Sequence, residues 1–225
     1  IAPSLKNGLE LELVGKITSV PYIKMTLALL EQIGVQAHFE GNRIKVEPKS
    51  VVEDTTLVVE SDWSSASYFY SIVALCEVGT KIQLSSYKQN SLQGDSVLSE
   101  IYKDFGVETQ FGENTIVLSK VSDDLPNRVN YDLSNAPDIA QTIAITCLGL
   151  GMGCHLKGLH TLPIKETDRL AALQTELSKF GACVEIDSAS LALEPLSTLK
   201  LGVDIDTYND HRMAMAFGPL ALKVG

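Results

Sequence analysis

The sequence has no C-x-x-C pair, no nucleotide-binding glycine loop and no serine-nucleophile elbow. Its four cysteines (Cys76, Cys147, Cys154, Cys183) and four histidines show no zinc-like partnering. His38, His155 and His160 fall on or near predicted strands without Asp, Glu or Cys at ligand spacing, so no metal site is read from them. Three of the cysteines sit in or beside apolar runs, which predicts buried free thiols and a reducing compartment. G-x-x-x-x-G-K-[ST], G-x-G-x-x-G and G-x-S-x-G are all missing, so nothing points to ATP, NAD or acyl-serine chemistry. The GLGMG run at residues 149–153 falls in a helix-to-strand turn and adds no such signal.

Basic residues are few as well, with 18 Lys and Arg against 28 Asp and Glu and a formal net charge of −10. A nucleic-acid or anionic-membrane partner would need a broad basic face, which this balance argues against. A small anionic ligand needs only a few local cations and is not excluded by it. No apolar run reaches the roughly 18 residues of a membrane span, and no charged-then-apolar leader opens the chain. The expected location is the cytoplasm. The chain opens without Met and stops at LALKVG after an apolar helical run, so both ends are expected to be cuts in a longer protein. Its 225 residues suffice for one large domain or two small ones.

What the chain does have is internal repetition. LLEQIGVQAHFEGNRIKVEP, IYKDFGVETQFGENTIVLS and ELSKFGACVEIDSASLALEP share one plan: a helix ending at glycine, an alternating strand, a polar turn and a second strand. The glycines, Gly34, Gly106 and Gly181, are 72 and 75 residues apart and suit the left-handed position just past a helix. A second echo joins SDWSSASYFYSIVALCEVGTKIQL to NAPDIAQTIAITCLGLGMGCHLKGL, with Asp62 and Asp138 in matching places. Each unit reads strand–helix–strand–helix–strand–strand, about three units in all, the first and last incomplete. The helices after Asp62 and Asp138 carry small or apolar residues on most faces, so they are expected inside with the sheets outside. The strands ending in TTLVVE place a boundary near Ser61.

Two stretches carry unexpected charge. LPIKETDRLAALQTEL, residues 162–177, predicts a helix entered through Thr161 and Pro163, with Lys165 and Arg169 on one face of its first turns. Glu166 lies one position round, and Asp168 is a partner for a cation. Cations at a helix start oppose the helix dipole. The stretch is either a salt-bridged, solvated start or an anion site built from free N–H groups, Lys and Arg. TYNDHRMAMAFGPLAL repeats the feature: Asn209 or Asp210 caps, and His211 and Arg212 lead into an apolar helix. Asp138, after Pro137, is a capping residue or a general base beside those cations. Ser19 and Tyr22, around Pro21, cap and pack when read as residues alone. NSLQGDSVLSEI is a loop and cap before a helix at 95–105, with a structural role only.

Taken together, IKETDRL, YNDHRMAMAF, NAPDIAQTIA, SSASYF and NSLQGD closely resemble the 5-enolpyruvylshikimate-3-phosphate synthase family (3-phosphoshikimate 1-carboxyvinyltransferase). The likeness runs in order through essentially the whole chain and covers roughly the second half of a family member. It implies an α/β fold, an inside-out barrel of repeated βαβαββ units, present here as a partial chain. Residues 1–60 would be the tail of one repeat domain and 61–225 most of the second. The implied reaction moves the enolpyruvyl group of phosphoenolpyruvate to the 5-hydroxyl of shikimate 3-phosphate, in the shikimate pathway to chorismate and aromatic amino acids, without metal or cofactor.

By the same likeness, Arg169, His211 and Arg212 would bind phosphoenolpyruvate. Ser19, Tyr22, Asp138, Thr161 and Lys165 would bind shikimate 3-phosphate, although Thr161 stands where some relatives have Asn. Asp138 and Glu166 would be the proton-transfer groups. The family's amino-terminal Lys and Arg, its Ser-Ser-Gln stretch and its carboxy-terminal Lys fall outside this chain, which alone is expected to be inactive. Two other readings stay open: the sister transferase acting on UDP-N-acetylglucosamine, and a non-catalytic anion-binding fragment.

Overall fold

Short runs of alternating apolar residues build ten strands in three sheets across residues 1–224, the part of the computed structural model described here. The chain divides into two compact units. One takes Ile1–Glu60 with Asn90–Gly94, and the other takes Ser61–Gln89 and everything from Asp95 onward.

The first unit contains β1 (Leu9–Glu12), α1 (Val20–Gln32), β2 (Ala37–Glu40) and β3 (Arg43–Val46). Its sheet runs β1-β3-β2, antiparallel throughout. Alternation turns Ile44 and Val46 inward, where they meet Leu27, Val35 and Ala37. Ser19 precedes α1 in the left-handed region (φ 57) and makes no side-chain cap, while Pro21 presets the first turn.

The second unit begins with α2 (Trp63–Leu75) and β4 (Lys81–Ser85). α3 (Leu98–Ile101) follows between 3-10 turns at Gly94–Val97 and Tyr102–Phe105, then β5 (Val107–Gly112) and β6 (Thr115–Lys120). The last repeat, expected to be incomplete, is complete: β7 (Arg128–Asp132), α4 (Ala140–Leu150), β8 (Gly153–Lys157), α5 (Arg169–Lys179), β9 (Val184–Ile186) and β10 (Leu191–Leu193). α6 (His211–Phe217) and α7 (Ala221–Val224) close the described chain. The sheets run β4-β6-β5 and β7-β8-β10-β9, and among the described residues the only parallel pair, β7 with β8, is the one bridged by a crossover helix.

The helices lie inside. Ten of the thirteen residues of α2 and nine of the eleven of α4 are buried, while β5 and β6 alternate buried and accessible positions, with one face toward solvent. α2 packs on β4, β5 and β6, α4 packs on β8, and the two helices pack on each other. Their contact holds a polar seam: Ser67 Oγ meets Thr142 Oγ1 at 2.9 Å, and Thr146 Oγ1 lies 2.9 Å from both Ser71 Oγ and Tyr102 Oη. Both helix-to-helix pairs are 75 residues apart, so equivalent positions of successive repeats face one another.

Some sequence expectations change. Residues 55–60 form no strand, and Val59 is 87% exposed; a run of valines gains strand stability only from a paired neighbour and a covering layer. The helix expected at 95–105 is one α turn between two 3-10 turns. Gly218 and Pro219 interrupt the helix expected through residue 222. Cys147 and Cys154 are buried and all four cysteines are free, but Cys183 lies exposed.

Gly34, Gly106 and Gly181 all adopt left-handed backbone, with φ of 76°, 72° and 91°. Gly181 has open space where a Cβ would stand, whereas a Cβ on Gly106 would lie 2.0 Å from the Ser122 carbonyl oxygen. Gly181→Ala should therefore cost about 1 kcal/mol of backbone strain. Gly106→Ala should cost at least about twice that, because a backbone carbonyl must also move. Urea denaturation of the two variants checks this, and equal losses would show that the carbonyl yields freely.

Candidate active site

The cationic stretch of residues 165–169 is arranged differently from the predicted single helix. Thr161 makes no side-chain cap, and Leu162–Ile164 form a short 3-10 turn. Lys165 is extended, and α5 starts only at Arg169, with the Asp168 carboxylate accepting the Ala171 N–H at 3.0 Å. The stronger N-cap sets the start, as Asp outranks Thr there. Lys165 and Glu166 thus lie in the loop before the helix. Lys165 and Arg169 converge because both reach Asp138, not because they share a helix face.

Arg169, at the first position of α5, is 1% exposed and spreads its guanidinium over three carboxylates. Nε donates to Asp210 Oδ2 at 2.7 Å and Nη2 to Asp210 Oδ1 at 3.3 Å. Nη1 donates to Asp138 Oδ1 at 3.1 Å, and Nη2 to Glu166 Oε2 at 2.5 Å. Of five guanidinium N–H groups, four are engaged. Asp210 also caps α6 by accepting the Arg212 N–H at 2.8 Å. Burial would raise its pKa, but the hydrogen bonds from Arg169 and from the Arg212 amide outweigh that and hold it below the ordinary carboxylate value.

Asp210 is aimed by the two residues before it. Tyr208 and Asn209 both take left-handed backbone (φ 55°), a conformation Asn tolerates and Tyr does not favour. Fully buried Glu176 holds that turn: it accepts the Tyr208 hydroxyl at 2.7 Å and the Asp206 N–H at 3.1 Å, and pairs with Lys179 at 2.7 Å.

Asp138 is the meeting point of the cations. It lies in the 3-10 turn Pro137–Ile139 ahead of α4, with Lys165 Nζ at 3.2 Å, Arg169 Nη1 at 3.1 Å and Arg212 Nη2 at 3.6 Å. Burial would lower the Arg212 pKa, but Asp138, Tyr68, Asp62 and Asp95 raise it above its ordinary value. The pKa of Tyr68 is raised, chiefly by burial, and the charge of Arg212 opposes that rise. Asp62 caps α2 through the Ser64 N–H at 2.9 Å. His211 is exposed beside Arg212. Ser19 and Tyr22 belong to the first unit, and both are exposed there.

Sequence reasoning gave NSLQGD a structural role only and so missed Asp95. Its side chain comes from the turn Gly94–Val97 and is 3% exposed. Burial, reinforced by the charge of Asp138, pushes its pKa up to about 7. The hydroxyl of Thr161, Nε2 of His160 and both amide atoms of Gln141 are buried with no hydrogen-bond partner among the described residues. Orphaned groups of this kind each cost about 1–3 kcal/mol, and a ligand or water that pairs them recovers it. Among the described residues no group of three His, Cys, Asp or Glu side chains is arranged to hold a metal.

A cluster of three cations around one carboxylate at converging helix starts can grip an anion while presenting a proton acceptor. The family model for EPSP synthase (3-phosphoshikimate 1-carboxyvinyltransferase) matches residues 1–224. The chain belongs to the EPSP synthase family. It is 41% identical to the 3-phosphoshikimate 1-carboxyvinyltransferase of Bacteroides fragilis over 99% of this chain and 54% of that protein. It is 36% identical to that of Neisseria meningitidis serogroup B, over 98% and 51%. The chain therefore spans about half the length of the curated relatives it matches. An EPSP synthase structure from Acinetobacter baumannii superposes with a TM-score of 0.66 at 22% identity, covering 87% of this chain and 47% of that one. The α/β fold of EPSP synthase is thus shared.

Two outcomes follow for this chain. Asp210→Ala removes both bonds that hold the buried end of Arg169 and should destabilise the protein by about 3 kcal/mol or more in chemical denaturation. A loss below about 1 kcal/mol would show that Asp138 and Glu166 suffice. Asp95 holds its proton with a pKa of about 7 when folded, against an ordinary 3.8. Its ionisation therefore erodes stability as pH rises from about 4 to 7, and the loss is complete above that. Asp95→Asn, which cannot ionise, should raise Tm by several degrees at about pH 8 and change it little near pH 4. An unchanged Tm at both would contradict the buried, unpaired carboxylate.

Proposed function

We propose that the protein carrying this chain transfers the enolpyruvyl group of phosphoenolpyruvate to the 5-hydroxyl of shikimate 3-phosphate, releasing phosphate. The observation that carries this reading is the convergence of Lys165, Arg169 and Arg212 on Asp138. Both substrates are polyanions, and arginine forks and lysine at helix starts suit carboxylate and phosphate groups.

In this reading Arg169 and Arg212, with His211 nearby, hold phosphoenolpyruvate. Lys165, Thr161, Ser19 and Tyr22 hold shikimate 3-phosphate. Asp138 takes the proton of the attacking 5-hydroxyl, and its neighbouring cations stabilise the negative charge of the addition step. Glu166 delivers a proton to the methylene carbon of phosphoenolpyruvate. The fourfold bonding of Arg169 gives that step a structural trigger: an anion that takes over its Nη2 releases the Glu166 carboxylate, which takes up a proton from solvent and passes it on. In the elimination that completes the exchange, Glu166 takes a proton back from the new methyl group as phosphate leaves, and Asp138 returns its proton to the departing phosphate, with no cofactor required. The orphaned Thr161 hydroxyl supports a ligand contact there.

The domain assignment belongs to the same reading, with residues 1–60 as the tail of one repeat domain and 61–225 as most of the other. Turnover needs the remaining half of the protein, and the 225 residues alone are inactive. The location is the cytoplasm, which the four free thiols support.

The full-length protein should turn over phosphoenolpyruvate with shikimate 3-phosphate and not with UDP-N-acetylglucosamine; activity with the latter alone would sink the assignment. Arg212→Ala should lower kcat/KM by roughly 10²- to 10³-fold, a few kcal/mol of transition-state stabilisation. Unchanged kinetics would remove Arg212 from the clamp.

A further inference from the structure

The turn that delivers Asp210 is built against backbone preference. The Asp210 N–H closes it by donating to the Thr207 carbonyl at 2.9 Å, and both central residues, Tyr208 and Asn209, have a φ of 55°. Turns of that hand are ordinarily made of Gly, Asn and Asp. Asn209 conforms and Tyr208 does not. A bulky residue persists in the left-handed region only where its surroundings fix it, and such places cluster at functional sites. Here the fixing comes from α5. Glu176, fully buried, accepts the Tyr208 hydroxyl on Oε1 at 2.7 Å and the Asp206 N–H on Oε2 at 3.1 Å. Lys179, three residues on, reaches Glu176 Oε2 at 2.7 Å, the Asp206 carboxylate at 3.2 Å and the Asp204 carbonyl at 3.1 Å. Glu176 lies seven residues beyond Arg169, about two turns along the same face of α5. That face grips the segment 204–210 twice, through Arg169 on Asp210 and through Glu176 on Tyr208.

We propose that Glu176 and Tyr208 are positioning residues for the two arginines that meet the anion. The hydroxyl bond sets the left-handed turn, and the turn sets Asp210. Asp210 in turn fixes Arg169 through its side chain and the start of α6, hence Arg212, through the backbone N–H it accepts. This rests on the reading of Arg169 and Arg212 as the phosphoenolpyruvate clamp. A buried carboxylate is a costly way to hold a loop that apolar packing could also hold. What Glu176 adds is direction: it accepts a bond that only one backbone conformation of Tyr208 delivers. Without that bond Tyr208 relaxes out of the left-handed region, and the Asp210 carboxylate turns away from both arginines. Lys165 is held by Asp138 instead, so contacts to shikimate 3-phosphate do not pass through this turn.

Steady-state kinetics of the full-length protein, with each substrate varied in turn, test this. Tyr208→Phe keeps the ring and removes the hydroxyl. It should raise KM for phosphoenolpyruvate about five- to tenfold, the order expected for one hydrogen bond, with kcat and KM for shikimate 3-phosphate within about twofold of native. Tyr208→Asn also lacks that hydroxyl but tolerates left-handed backbone, and should recover most of the native phosphoenolpyruvate KM. Glu176→Ala should match or exceed the Tyr208→Phe shift; should it fail to fold, the two Tyr208 variants decide, since Tyr208 is 37% exposed. A phosphoenolpyruvate KM unchanged in Tyr208→Phe overturns the proposal. Both KM values rising together with a fall in kcat also overturns it, since a loosened fold has no reason to spare one substrate. Tyr208→Asn as impaired as Tyr208→Phe refutes the conformational role. A native protein without turnover of this substrate pair overturns the clamp reading, and this role with it.

Discussion

A guanidinium buried at the start of a helix has to be met by carboxylates, and the pairing of Arg169 with Asp210 is the constraint from which the rest of the site follows. Removing Arg169 from water is tolerable because Asp210 binds it at two points and is itself fixed by the α6 amide it caps. That one pair ties the start of α5 to the start of α6. It leaves the opposite edge of the guanidinium directed at Asp138 and Glu166. A second tie lies further along α5, where Glu176 gathers Tyr208, the Asp206 amide and Lys179. With both ties in place, the loop that carries Asp210 has little freedom to withdraw.

The three acidic residues at helix starts divide the labour by small differences in position. Asp62 is a true cap, its oxygens taken by the Ser64 amide and hydroxyl and by Ser65. Asp138 stands in a 3-10 turn ahead of its helix and leaves the backbone uncapped, so its oxygens meet side-chain cations instead. The matching places the two hold in the repeat therefore conceal different duties. Asp95 is buried in the turn Gly94–Val97, and that burial, reinforced by the charge of Asp138, favours its neutral form.

Much of this was legible in the sequence, for identifiable reasons. The repeats, the glycine-closed helices and the buried character of α2 and α4 rest on local periodicity and backbone preference, and the structure follows them closely. The residues Lys165, Arg169 and Arg212 stood out because their charge ran against the helix dipole. The start of α5 was misplaced because Thr161 and Pro163 imitate a helix start, while the Asp168 cap that prevails lies inside the apparent helix. Residues 55–60 have strand composition, but strand formation depends on neighbours that composition does not reveal. Asp95 was illegible for the same reason: a QGD turn looks solvent-facing until the packing around it is known.

The hydroxyl seam between α2 and α4 has a consequence for the geometry of the whole second unit. Two helices clad in small and apolar side chains can slide along one another at little cost, since each offset buries a similar surface. Ser67, Ser71, Thr142, Thr146 and Tyr102 remove that indifference, because a shift of one turn would strand several hydroxyls in a dry interior. The seam works as a vernier scale between successive repeats. It fixes the height of the Asp138 end of α4 against the Asp62 end of α2, and with it the depth at which the charged cluster sits.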